Sequence, residues 1–129
     1  MEQANRNGRR ILVVEDEPGI AQICARTLSA EGFEVEVAVN GEAALDLLHQ
    51  EEFALCFIDI RTPKMSGIEL YRQLQERHPE MVDKLIFTSG DILSSDTRAF
   101  LESTNRPYLA KPFIPEDLRA IVRTVLGLT

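Results

Sequence analysis

Four short apolar runs in this chain stop abruptly, each at a group able to do chemistry. The first stops at Glu15 and Asp16, the next at Asp59, then one at Thr88 and the last at Lys111. Brought together, three carboxylates repel one another and resist ionising unless something compensates. A divalent cation would do so. An all-oxygen set with room left for water suits Mg²⁺ better than a closed Ca²⁺ cage, and no His or Cys stands near these positions to favour Zn²⁺. A carboxylate can also attack phosphorus and form an acyl phosphate. A cation and a lysine would stabilise charge on the transferring group, and a threonine hydroxyl could donate to one of its oxygens. Taken singly, each residue has a plainer reading, because an Asp after a strand is ordinarily a turn or cap residue. Their joint occurrence at successive run ends is what points to a site.

The elements that must position them follow from hydrophobic pattern. Arg10 to Val14 is a continuous β-branched run, the mark of a strand covered on both faces. Pro18 suits the first turn of a helix, in which Ile20, Ile23, Cys24 and Leu28 recur at helical spacing before Gly32. Phe33 to Val39 alternates with period two and reads as a strand exposed on one face, at a sheet edge. Asn40 can cap a helix carrying Ala44, Leu47 and Leu48. Phe53 to Ile58 is a second fully apolar strand ending at Asp59, followed by a loop over Thr62 to Met65. Ser66-Gly67-Ile68-Glu69 has the form of a capping box opening a helix to about Arg77. Leu85 to Phe87 predicts a strand ending at Thr88, with Ser89-Gly90-Asp91 as loop and a weaker helix over Ser95 to Ser103. Tyr108 to Ala110 is the last strand, and Pro115 opens an amphipathic helix with Leu118, Ile121, Val122, Val125 and Leu126 on one face.

Five β-α units in regular alternation predict a doubly wound α/β fold, (βα)5, with a five-stranded parallel sheet of flavodoxin-like order 2-1-3-4-5. In such sheets ligands bind beyond the carboxyl ends of the strands. The intervals from Asp16 to Asp59, Thr88 and Lys111 are 43, 29 and 23 residues, two β-α units and then one each, so the polar ends share one edge. With 129 residues the chain suits one domain. Residues 1–9 are polar and basic and read as a tail or linker, leaving residues 10–129 as the domain.

Composition narrows the function classes. The chain carries 21 acidic against 14 basic residues, net charge -7, which disfavours binding to nucleic-acid phosphates or an anionic membrane surface. No apolar run approaches a membrane span and the N-terminus lacks the apolar core of a secretory signal. Cys24 and Cys56 lie outside any metal or redox motif and read as core thiols in a reducing compartment. A cytoplasmic location is expected.

The quoted segments resemble the response-regulator receiver family over about residues 10–127. ILVVEDEP is similar to its first strand and acidic pair, and FIDIRTPKMSGIEL to its phosphoacceptor strand, loop and third helix. LIFTSGD is similar to its switch-hydroxyl segment, and YLAKPF to its lysine segment. The resemblance implies Asp59 as phosphoacceptor, taking a phosphoryl group from a phosphohistidine on a sensor histidine kinase or a histidine phosphotransfer protein. It implies Mg²⁺, with Mn²⁺ an admissible substitute, bound directly by Asp16, Asp59 and the Arg61 backbone carbonyl, and by Glu15 mainly through water. Lys111 would contact the phosphoryl group beside a cis bond to Pro112. Thr88 and the rotating aromatic Tyr108 would form the switch, and Arg61 and Gly90 would modulate phosphoryl lifetime. The family is not enzymatic in the usual sense; it catalyses its own phosphorylation and slow Mg²⁺-dependent dephosphorylation. Glu15 stands where Asp is commoner, and Thr62 where Met is frequent before Pro63. The run from Glu69 to Asp91 is more similar to hybrid-kinase receivers, and a monomer or weak homodimer is expected.

Three rivals remain. A flavin or nucleotide module needs a phosphate-cradling loop after strand 1, where Glu15-Asp16-Glu17-Pro18 would repel phosphate. An aspartate-nucleophile phosphatase needs Asp-x-Asp, but Arg61 follows Asp59 at that spacing. A phosphorylation-independent protein-interaction module of the same fold would leave the full set of polar strand ends without a use.

Overall fold

The computed structural model describes residues 9–127, so the expected tail lies, Arg9 apart, outside the described residues. Five strands alternate with five helices: β1 (Arg10–Val14), α1 (Pro18–Ala30), β2 (Glu34–Ala38), α2 (Gly41–Gln50), β3 (Leu55–Asp59), α3 (Gly67–Arg77), β4 (Leu85–Ser89), α4 (Ser95–Thr104), β5 (Tyr108–Ala110) and α5 (Pro115–Leu126). All pairings are parallel and the sheet order is β2-β1-β3-β4-β5, as the alternation predicts. A 3₁₀ segment, Pro79–Lys84, fills the connection from α3 to β4 and had no counterpart in the sequence pattern.

The central strands are apolar throughout because each face meets its own layer of helices. Leu12, Val14, Cys56, Ile58, Leu85 and Phe87 face a core shared with Ala44, Leu48, Leu70, Leu74 and Leu101 of α2, α3 and α4. Ile11, Val13, Leu55, Phe57 and Ile86 face the other way, onto Cys24 and Leu28 of α1 and Leu118 and Val122 of α5. On the first face, Phe87 sits edge-on to Tyr71 of α3 and Phe100 of α4, with ring centroids 5.9 and 5.2 Å away, and those two rings meet each other at 5.6 Å. Edge strand β2 does not keep the expected alternation: Glu34 and Val37 are exposed, Val35 and Glu36 half-buried, and only Ala38 is buried, because an edge strand is less fully covered than the central ones.

Helix starts match their caps. Asn40 Oδ1 accepts from the Ala43 N–H at 2.8 Å and Ser66 Oγ from Glu69 N–H at 3.2 Å. Only this half of the expected Ser66–Glu69 box forms, because the Glu69 carboxylate accepts from Gln73 instead, at 3.2 Å. In α1, Ile23 is 41% exposed while Ala21 and Thr27 are buried, so the buried stripe is rotated from the one that the large side chains mark out.

Two glycines let helix starts approach the β3–α3 loop. A Cβ on Gly67 would lie 2.8 Å from the carbonyl oxygen of Asp59 and from Ile60 Cα. One on Gly41 would lie 2.2 Å from the carbonyl oxygen of Met65. Both obstacles are backbone, which cannot swing aside. Gly41→Ala should therefore lower unfolding free energy by roughly 1–3 kcal/mol, read by urea denaturation. An unchanged midpoint would mean that the loop yields freely.

Candidate functional site

The polar strand ends meet at one edge of the sheet because the ladder hydrogen bonds continue past the strands. Glu15 N–H donates to Ala38 O at 2.9 Å, Ile60 N–H to Thr88 O at 3.0 Å and Lys111 N–H to Ser89 O at 2.8 Å. Asp59 is the last residue of β3 and lies in register with Thr88 of β4. The Lys111–Pro112 peptide that follows β5 is cis.

Lys111 is the centre of the arrangement. Its ammonium donates to Asp59 Oδ2 at 2.9 Å and to Glu17 Oε1 at 3.2 Å, and its Nζ lies 2.9 Å from Glu15 Oε1. The side chains of Lys111, Glu15 and Asp59 retain only 11%, 2% and 6% of their exposure, so water screens these contacts little. Burial pushes the Glu15 carboxyl up to about 7; the hydrogen bond from Lys111 opposes this and the neighbouring Asp59 charge adds to it. Burial alone would lower Lys111, but hydrogen bonds to Glu15 and Asp59 outweigh it and the net displacement is upward. The lysine is therefore a permanent cation.

A cavity of about 450 Å³ opens over Asp59 and Lys111, lined also by Asp16, Glu17, Arg61, Gly90 and Asp91. The Arg61 N–H donates to Asp59 Oδ1 at 3.2 Å, while the exposed guanidinium bonds Asp91 and joins the loops after β3 and β4 at the rim. Thr88 is buried beside Asp59, and Tyr108 on the outer strand β5 is 46% exposed. Carboxylate oxygens of Glu15, Glu17 and Asp59 lie within 4.8 Å of one another. Such an all-oxygen group suits Mg²⁺ rather than a softer ion. Asp16, read from the sequence as a direct ligand, is exposed on the wall of this cavity, and Glu17 completes the tightest carboxylate group among the described residues. Sequence reasoning passed over Glu17. The available signal was its place two residues after Glu15, in a turn where its N–H donates to Glu15 Oε2 at 3.2 Å.

Residues 11–123 match the response regulator receiver domain. The chain belongs to that family. It is 35% identical over 120 residues to the response regulator MprA of Mycolicibacterium vanbaalenii, covering 93% of this chain and 51% of that protein. It is 37% identical over 116 residues to the transcriptional regulatory protein CreB of Escherichia coli, covering 90% and 50%. The receiver domain thus spans about half the length of these curated relatives. A CheY-like receiver from Methanospirillum hungatei superposes with a TM-score of 0.83 at 32% identity, covering 92% of this chain and 94% of that one. The receiver of sensor histidine kinase PA1611 from Pseudomonas aeruginosa, with a magnesium ion coordinated in its active site cleft, gives 0.83 at 25% identity over 93% and 98%. The chain is a receiver of two-component signalling, with the CheY-like fold. Among its described residues, no helix is long and apolar enough to cross a membrane.

Glu15 makes stability depend on pH. The folded chain holds this proton up to about pH 7, the unfolded one only to about 4.5. Folding therefore takes up a proton in that window, and the contribution of this group falls as pH rises through it. In the presence of a chelator, Glu15→Gln should gain on the wild type across the window, reaching roughly 1–3 kcal/mol at neutral pH. Parallel stability profiles from urea denaturation would mean that Glu15 is ionised throughout.

Proposed function

We propose that this receiver takes a phosphoryl group on Asp59 from a phosphohistidine of a sensor histidine kinase or a histidine phosphotransfer protein. An Asp59 carboxylate oxygen bonds to phosphorus as the bond to the imidazole nitrogen breaks, and the electron pair leaves with the imidazole. The observation that carries this reading is the buried ammonium of Lys111, 2.9 Å from Asp59 Oδ2 and facing the cavity. Once Asp59 is phosphorylated, that ammonium is free to bond a phosphoryl oxygen and neutralise its charge. Asp16, Asp59 and the Arg61 carbonyl would hold Mg²⁺ or, as a substitute, Mn²⁺, with Glu15 acting mainly through water, and such an ion supplies further positive charge at the phosphoryl oxygens. The exposed Arg61–Asp91 pair is of the kind worth little in water, so it opens readily to an incoming donor. Arg61 and Gly90 then border the acyl phosphate and set how long it lasts.

Thr88 turns its hydroxyl toward the phosphoryl group and Tyr108 rotates in response. The result is a change of protein-binding surface around α4, β5 and α5. The net charge of -7 favours a protein rather than nucleic-acid partner for this segment, acting as a monomer or weak homodimer in the cytoplasm. Chemically the domain catalyses only its own phosphorylation and slow hydrolysis.

Two measurements test this. Intact mass after incubation with acetyl phosphate and Mg²⁺ should show one added phosphoryl group, absent in Asp59→Ala. If neither acetyl phosphate, phosphoramidate nor a histidine kinase modifies the wild type, the domain is a phosphorylation-independent module. Thr88→Ala should still take the group but lose the phosphorylation dependence of partner binding; retained dependence would refute the switch.

A further inference from the structure

We propose that His49 and His78 form a binding site for a divalent transition-metal ion, Zn²⁺ above all, at the edge of the sheet opposite the acidic cavity. The inference is independent of the phosphoryl chemistry of Asp59.

These are the only two histidines of the chain, and they meet across 29 positions of sequence. His49 Nδ1 lies 2.8 Å from His78 Nε2, with ring centroids 4.8 Å apart and planes inclined at 46°. Zn–N bonds of about 2.0–2.1 Å separate two nitrogens of one tetrahedron by about 3.3–3.4 Å. Only about half an ångström of opening would thus seat an ion between the rings. His49 is exposed, so a small side-chain rotation provides it.

The second nitrogen of His78 has its own partner. Nδ1 lies 3.5 Å from Glu80 Oε2. A proton held there leaves the Nε2 lone pair facing His49. A carboxylate behind a ligating imidazole orients metal-bound histidines in this way. Without an ion, His49 Nδ1–H donates to His78 Nε2. With one, His49 carries its proton on Nε2 instead, exchanged through solvent, and both facing nitrogens are ligands with no net change of protonation.

The fold supplies a favourable field. His49 lies in the last turn of α2 and His78 is the C-cap of α3, so the negative ends of two helix dipoles converge on the pair. The rings border a cavity of about 680 Å³, whose wall also carries Glu51, Glu52 and Glu80. Water would complete the coordination, since Glu51 pairs with Arg10 and Glu80 stands behind His78. Two imidazoles select Zn²⁺ and its neighbours over Mg²⁺. The bound ion would tie the end of α2 to the end of α3.

The test is calorimetric titration of the tag-free chain with Zn²⁺ in millimolar Mg²⁺, which keeps the acidic cavity from taking the ion. The wild type should bind one Zn²⁺, and His49→Gln and His78→Gln should each weaken binding by about 10-fold or more, with a smaller loss in Glu80→Gln. His49 is exposed and His78 half-buried, and circular dichroism checks that the variants fold. Cu²⁺ bound to the wild type should show electron-spin coupling to two imidazole nitrogens. Zn²⁺ binding that is absent, or unchanged in both histidine variants, or a Cu²⁺ spectrum with fewer than two nitrogens, would overturn the site.

Discussion

One buried ammonium holds this site together. Glu15 and Asp59 lie side by side with almost no access to water, and such carboxylates repel. Lys111 reaches between them from a different strand and bonds both. Removing one member of a buried charge cluster leaves the others uncompensated, which costs far more than the cluster is worth intact. The arrangement is therefore a poor device for stability and a good one for readiness. It keeps two carboxylates close enough to share a cation and keeps a positive charge where a phosphoryl group would arrive. Burial above all, with the Asp59 charge adding to it, holds the Glu15 carboxyl above the usual carboxylate range even beside the lysine.

That contact depends on strands that converge only because both faces of the sheet are covered. β1, β3 and β4 are apolar on every residue that the helices touch, and the register of β3 against β4 sets Asp59 beside Thr88. The loop after Asp59 is gripped between the starts of α2 and α3, where Gly41 and Gly67 let backbone meet backbone. The scaffold is tight around the carboxylate and open beyond it, where Arg61 and Asp91 meet in water.

Much of this was legible in the sequence because apolar runs stop where the sheet stops. The five strands, the edge position of β2, the caps at Asn40 and Ser66 and the convergence of Glu15, Asp59, Thr88 and Lys111 all follow from patterns of a few residues. Other features had no such signal. The 3₁₀ segment over Pro79–Lys84 buries Met81 in the core beside α2, α3 and α4, a tertiary feature without a local period. Ile23 lies outward while the smaller Ala21 and Thr27 are buried, so hydropathy alone does not mark the buried face of α1. Glu17 joins the site through a turn, and turns carry no period. The meeting of His49 and His78 needs two helices to end together, which no local pattern foretells.

The aromatic cluster around Phe87 bears on how β4 can respond to events at its tip. Phe87 is wedged between Tyr71 and Phe100, and the very next residue is Thr88. The strand is pinned at this point and cannot slide along its axis without breaking two ring contacts. Phe87 thus divides β4: Leu85 and Ile86 lie before the ring contacts, while Thr88, Ser89 and the approach to α4 lie beyond them.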